Sequence, residues 1–210
     1  MTIPLDELVK NMLKANEKIS DFSCKAIYAS DNREQSEKTE KSTGYSPTLP
    51  YLEEERIWVK RSSFMMLNQN ETSATLLRKV GSDFLVEGRS NRKFPHYLSE
   101  PTEGVWPAFP NPECEFPHIM KFAKDRVTHV IDKKKDPSGN YYCLTFTWFK
   151  NERFGDKHKC FYVREADWFL FKWTTYIDNR FVHATELKDI KINAGLSDEL
   201  FKLAGSDKPK

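Results

Sequence analysis

Between residues 4 and 19 the apolar side chains Leu5, Leu8, Val9, Met12, Leu13 and Ile19 recur at helical spacing, and the Lys and Glu residues fall opposite them. That pattern predicts one amphipathic helix covering something apolar. Thr2 suits its cap, Pro4 its first turn, Asp6 and Glu7 its positive end, and Asp21 marks its close. The period then changes to two. Over 22–30, Phe22, Cys24, Ala26 and Tyr28 share one face of a first strand. Residues 31–54 are polar and turn-rich, a long connection. Runs at 56–61, 63–68 and 74–80, the last continuing past Gly81 to 84–86, carry the β-branched and aromatic content of strands.

The stretch 93–117 changes character again. Six prolines argue against regular structure there, yet it holds Phe94, Tyr97, Trp106, Phe109 and Phe116. Solvated linkers rarely carry so many aromatics, so this segment is expected to pack across the domain or over a cavity mouth. Residues 118–131 read as a short helix, with a strand as the alternative from Val127 onward.

The second half alternates more strictly. Tyr142, Leu144, Phe146 and Trp148 share one face of a strand over 141–149, and Tyr141, Cys143, Thr145 and Thr147 share the other. A turn centred on Asn151-Glu152 sets Tyr142 opposite Phe161, Thr145 opposite His158 and Cys143 opposite Cys160. That register leaves two outcomes for the cysteines, a cross-strand disulfide or two unlinked thiols. A second hairpin joins 168–177 to 181–187 through Asp178-Asn179, with Phe169, Phe171 and Trp173 alternating to one side. A last strand at 189–192 leads to a terminal turn or helix over 196–203.

Composition narrows the functional classes. A chain of 210 residues fits a single domain over 1–210. Its 15 Phe, 8 Tyr and 5 Trp mean that any core or cavity is built from large flat side chains. Charges of both signs are interleaved and the net charge is +2, without the basic stripe that nucleic acid calls for. The Lys133–Lys135 run leads into turn chemistry and reads as solvated charge. No segment has the roughly 20 consecutive apolar residues of a membrane span. Cys24, Cys114, Cys143 and Cys160 contain no Cys-x-x-Cys pair, so no metal site is expected even with His158 near Cys160.

No catalytic constellation is legible either. The eight glycines form no phosphate loop, there is no Gly-x-Ser-x-Gly elbow or His-Glu-x-x-His helix, and the five histidines are scattered. Neither catalytic residues nor a cofactor are therefore expected. The positive signal is an inward-facing aromatic set on consecutive antiparallel strands, with Trp58, Phe146, Trp148, Phe161, Phe171 and Trp173 as the candidate ligand-lining residues. They form either a filled core or a pocket for an acyl chain or similar ligand.

Two stretches carry a family resemblance. The helix ending Met12-Leu13-Lys14-Ala15-Asn16-Glu17-Lys18-Ile19, followed by Asp21-Phe22-Ser23-Cys24, resembles the opening of the periplasmic lipoprotein-carrier (LolA-like) proteins. The tail from Leu187 to Phe201, containing Asn193-Ala194-Gly195-Leu196-Ser197-Asp198-Glu199-Leu200-Phe201, is similar to the closing strand of that superfamily. It is closer still to the exported bacterial domain-of-unknown-function family 1571, in which Cys24 and Cys143 have counterparts. The resemblance implies an α+β fold, a highly curved antiparallel sheet forming an unclosed barrel. The N-terminal helix and the Pro/aromatic-rich segment would cover its concave face. It further implies a non-enzymatic, periplasmic or otherwise exported protein, with any leader outside this sequence. The ligand would be a lipid or lipoprotein acyl chain; a cell-envelope interaction or sensor module with a filled core is the other reading.

Overall fold

The computed structural model describes residues 3–31, 51–60, 65–69, 74–80, 83–89, 96–98, 127–151 and 155–201. A helix α1 (Leu5–Asn16) precedes eleven strands among these residues: β1 (Asp21–Ser30), β2 (Tyr51–Lys60), β3 (Met65–Gln69), β4 (Ala74–Val80), β5 (Asp83–Arg89), β6 (His96–Leu98), β7 (Val127–Asp136), β8 (Gly139–Asn151), β9 (Gly155–Arg164), β10 (Leu170–Ile177) and β11 (Arg180–Ile192). A 3-10 turn, Asp198–Phe201, follows. The strands form one antiparallel sheet of order β6-β5-β4-β3-β2-β1-β11-β10-β9-β8-β7, with β6 and β7 as its edges, so it does not close. Nearly every connection is a meander, and the one long-range neighbour pair is β1 with β11.

The contacts divide the chain into two compact units. The first gathers Met1–Asn16, Ile27–Glu53 and Pro110–Leu187. Its core sets Leu5, Leu8 and Met12 of α1 against Ile131, Tyr142, Leu144, Phe146, Phe161, Val163 and Leu170 from β7 to β10. The helix starts as its sequence directs, Pro4 O accepting the Leu8 N–H at 3.0 Å. It stops three residues earlier than the periodicity suggests, because Glu17 and Lys18 turn the chain toward β1. Thr2 lies outside the described residues.

The second unit gathers Glu17–Ala26, Glu54–Phe109 and Lys188–Lys210. Here the family-like tail acts as a clasp. Asn193 Oδ1 accepts from Ser20 N at 2.8 Å and Ser20 Oγ at 3.1 Å, and Asn193 Nδ2 donates to Lys18 O at 3.0 Å. Asn193 N donates to Asp21 O at 2.8 Å, and Gly195 N to Asp21 Oδ2 at 3.2 Å. These bonds need left-handed backbone at Asn193 (φ 54°) and Gly195 (φ 70°), which Asn and Gly adopt at least cost. The tail then delivers Phe201 onto Leu67 and Leu76, with Trp58, Leu196 and Leu200 packed around them. Lys60 Nζ pairs with Asp198 Oδ1 at 2.5 Å.

Several expectations need correcting. The 118–131 segment is strand from Val127, and 118–126 lies outside the described residues. The Pro-rich stretch contains a regular element, β6, paired with β5; none of its three residues is proline, so each can donate to the ladder. The rest of that stretch lies outside the described residues. The β8–β9 register differs by two positions: Thr145 faces Cys160, Thr147 faces His158, Leu144 faces Phe161, and Cys143 faces Tyr162 rather than Cys160. The hairpin closes at Asn151↔Gly155 around 152–154, and a bulge between Trp148 and Asn151 absorbs the remaining offset. A two-position slip preserves the faces, so the apolar and polar sets stay as the alternation divides them.

Candidate functional site

The inner face of the first unit is built by β7 to β10 and roofed by α1. Phe146 and Phe161 are fully buried and meet edge to face at 6.0 Å, the arrangement aromatic quadrupoles favour. Trp148 lies 6.3 Å from Phe146, and Trp148, Trp168 and Trp173 pack half-buried around the cluster. Trp168 is positioned by a tight turn. Its N–H donates to Arg164 O at 2.9 Å, Arg164 grips Asp167 through Nε (3.1 Å) and Nη2 (2.6 Å), and the indole stacks on Tyr142 at 5.6 Å, 8° from parallel. Charge borders this face at one end. Lys157 and Lys159 pair with Trp148 and Phe146 in the ladder and so share the face, with Lys157 Nζ 5.1 Å from the Trp148 ring and Lys159 Nζ 4.9 Å from the Phe161 ring.

Of the six candidate lining residues, the structure brings four together: Phe146, Trp148, Phe161 and Trp173. Trp58 belongs to the separate cluster under the tail. Phe171 lies on the opposite face of the sheet. A bulge between Leu170 and Lys172 breaks the alternation, so Leu170 and Trp173 point inward while Phe171 packs against Tyr141 (5.9 Å) and Tyr162 (6.4 Å). The residues that sequence reasoning left out are Leu5, Leu8 and Met12, which fill the face from above. Their 3–4 spacing signalled a covering helix without saying what it covers.

The outer face of the same strands is polar. Cys143, Thr145 and Thr147 lie on β8 and His158, Cys160 and Tyr162 on β9, with Thr174 of β10 opposite Cys160. Thr147 Oγ1 is 3.0 Å from His158 Nδ1, and His158 Nε2 is 3.4 Å from Asp156 Oδ2. Burial pushes the Tyr162 phenol up to about 12. At the strand ends, Glu165 accepts from Lys133, from Asn140 Nδ2 (2.9 Å) and from Tyr142 Oη (3.1 Å). The Lys133 bond leads in holding the Glu165 carboxyl below its ordinary value. A groove of about 170 Å³ beside Tyr141, Arg164, Glu165 and Phe171 is smaller than the several hundred Å³ usual for ligand pockets. Among the described residues no group of three or more His, Cys, Asp or Glu side chains could hold a metal ion, and no helix is long and apolar enough to cross a membrane.

No protein-family model and no curated protein matches the sequence. Solved structures do. An uncharacterized conserved protein from Thermus thermophilus aligns over 96% of this chain and 94% of its own, at 7% identity and a TM-score of 0.55. MucB, solved in complex with MucA(peri) and described with MucA from Pseudomonas aeruginosa, aligns over 95% of this chain at 8% identity and a TM-score of 0.51. This chain spans 60% of MucB. The fold is LolA-like. A LolA superfamily protein from Nitrosomonas europaea aligns over 96% of this chain and 99% of its own at 11% identity, with a lower TM-score of 0.34. The likeness reaches the LolA-like fold and stops short of the narrower numbered family.

Proposed function

We propose that this chain is a non-enzymatic exported binding protein that takes a hydrophobic or lipidic ligand against the inner aromatic face of β7 to β10, in the place α1 occupies here. The observation supporting this reading is the small footprint of the roof. A single 12-residue helix closes an aromatic face with only three buried side chains, Leu5, Leu8 and Met12. At roughly 1.5–3 kcal/mol per buried side chain, lifting them costs about 5–9 kcal/mol. At roughly 0.8 kcal/mol per buried methylene, an acyl chain of about a dozen carbons offsets that cost. The half-buried Trp148 and Trp173 mark where such a chain would extend beyond the helix. The cell envelope is the setting that suits a carrier of this fold.

A second reading is favoured by a different observation. Phe146 and Phe161 are completely buried, as in a finished core, and MucB, which shares the fold, is solved with a protein partner. Native mass spectrometry of protein purified from cells separates the two. A co-purifying lipid mass, or a fluorescent fatty-acid probe whose signal Trp173→Ala weakens, supports the ligand reading. A clean apo mass together with indifference to the probe overturns it and leaves the protein-interaction module.

A further inference from the structure

The outer face holds a group for which the binding reading has no use. Cys143 and Cys160 sit on adjacent strands as diagonal rather than directly opposite neighbours, with Thr145 between them. Thr145 Oγ1 is 3.5 Å from Cys160 Sγ and 3.9 Å from Cys143 Sγ, so one hydroxyl touches both sulfurs. Both are unlinked in this structure. Their exposure differs in a useful direction: Cys160 is half-buried, whereas Cys143 is 4% exposed. Across the ladder from Cys160 lies the buried Thr174 of β10. We propose that Cys160 and Cys143 form a thiol–disulfide exchange site, Cys160 as the attacking sulfur and Cys143 as the resolving one, with a disulfide-bearing molecule as the oxidant.

The chemistry balances as two displacements. The Cys160 thiolate attacks one sulfur of the incoming disulfide, forming a mixed disulfide and expelling the first thiolate. Cys143 then loses its proton to that thiolate or to water and attacks the Cys160 sulfur, so that the Cys143–Cys160 bond forms and the second thiolate leaves. The protein dithiol loses two electrons and the incoming disulfide gains them. The electrostatics favour this order. The neighbouring Cys143 thiol, then the Thr145 hydroxyl, hold the Cys160 thiol below its ordinary range, while the same neighbour and burial push Cys143 up. The diagonal placement adds a property. Diagonal neighbours stand farther apart than directly opposite pairs, so closing the bond strains the ladder and leaves the disulfide readily reduced.

Oxidised glutathione serves as the probe, on the full chain, with peptide mapping by mass spectrometry. The wild type is expected to yield a Cys143–Cys160 cross-link that dithiothreitol reverses, leaving Cys24 reduced. Cys143→Ser should halt at a glutathione adduct on Cys160, and Cys160→Ser should react about tenfold more slowly at its remaining thiols. The rate at Cys160 should level off at lower pH than that of an ordinary thiol. A stable Cys160 adduct in the wild type with no cross-link overturns the proposal. So does a wild-type rate at Cys160 equal to that of free cysteine, whatever the variants do.

Discussion

Leu8→Ala isolates what α1 contributes. Leu8 is 0% exposed at the middle of the helix, between Leu5 and Met12, and faces the cluster around Phe146 and Phe161. Alanine is the best helix former, so the substitution leaves local propensity intact and removes only packing. Truncating a fully buried leucine costs about 2–5 kcal/mol, the upper part applying where neighbours cannot collapse into the void. Here the floor is a β-sheet paired on both sides of β8 and β9, which resists collapse, so the upper half of that range is expected. At about 2–4 °C per kcal/mol for a chain of this size, the melting temperature should fall by roughly 7–20 °C. Thermal unfolding followed by near-ultraviolet circular dichroism reads this, with the exposed Lys10→Ala as the matched control. If Leu8→Ala and Lys10→Ala shift the midpoint equally, α1 is not docked on this face, and both the filled core and the roofed binding surface are wrong.

Asn193→Ala removes three side-chain hydrogen bonds and a residue type suited to φ 54°. Because the site is exposed, about 1–3 kcal/mol is expected, and Asn193→Gly should recover the backbone part alone. Differential scanning calorimetry checks this, and equal melting of the two variants would place the whole effect in the side-chain bonds. Glu165 supplies a pH dependence. Its carboxyl ionises below the ordinary 4.5 in the folded state. The stabilisation is therefore complete above about pH 4.5 and is lost as pH falls through the lower folded value. Glu165→Gln should lower the melting temperature at neutral pH and flatten the acid branch, so that the two proteins converge at low pH. An acid branch identical to wild type would refute that assignment.

Much of this was legible because local chemistry decided it. The α1 stripe was readable from spacing alone, and Asp178-Asn179 was readable as a hairpin turn because both residues tolerate the positive φ (49° and 59°) that the turn requires. The β8 faces were readable because alternation survives a slip by two. What could not be read depends on loop length and distant contacts. The β8–β9 register depends on where the chain turns back after Asn151, and the alternation of β8 and β9 reads equally well with the pairing shifted by two. The bulge at Phe171 leaves no signature, so an alternating Phe169, Phe171, Trp173 pattern pointed one aromatic to the wrong side. Trp58 went to another cluster because the partner covering it, Phe201, lies far along the chain. The tail motif, by contrast, has a physical explanation in the structure: Asn193, Gly195 and Phe201 are there to fasten.

That fastening has a consequence for how the protein is made. Asp21 and Ser20 are bonded to residues about 173 positions later, and β1 neighbours β11 in the sheet. On a ribosome, β1 is among the first strands to emerge and waits for nearly the whole chain before its neighbour exists. At roughly 5–20 residues per second, that interval is on the order of ten seconds or more. During it the apolar row Phe22, Cys24 and Ala26 has no β11 beside it, so the nascent chain is the form most in need of a chaperone. A stop codon placed before Arg180, which removes β11, would turn that transient exposure into a permanent one.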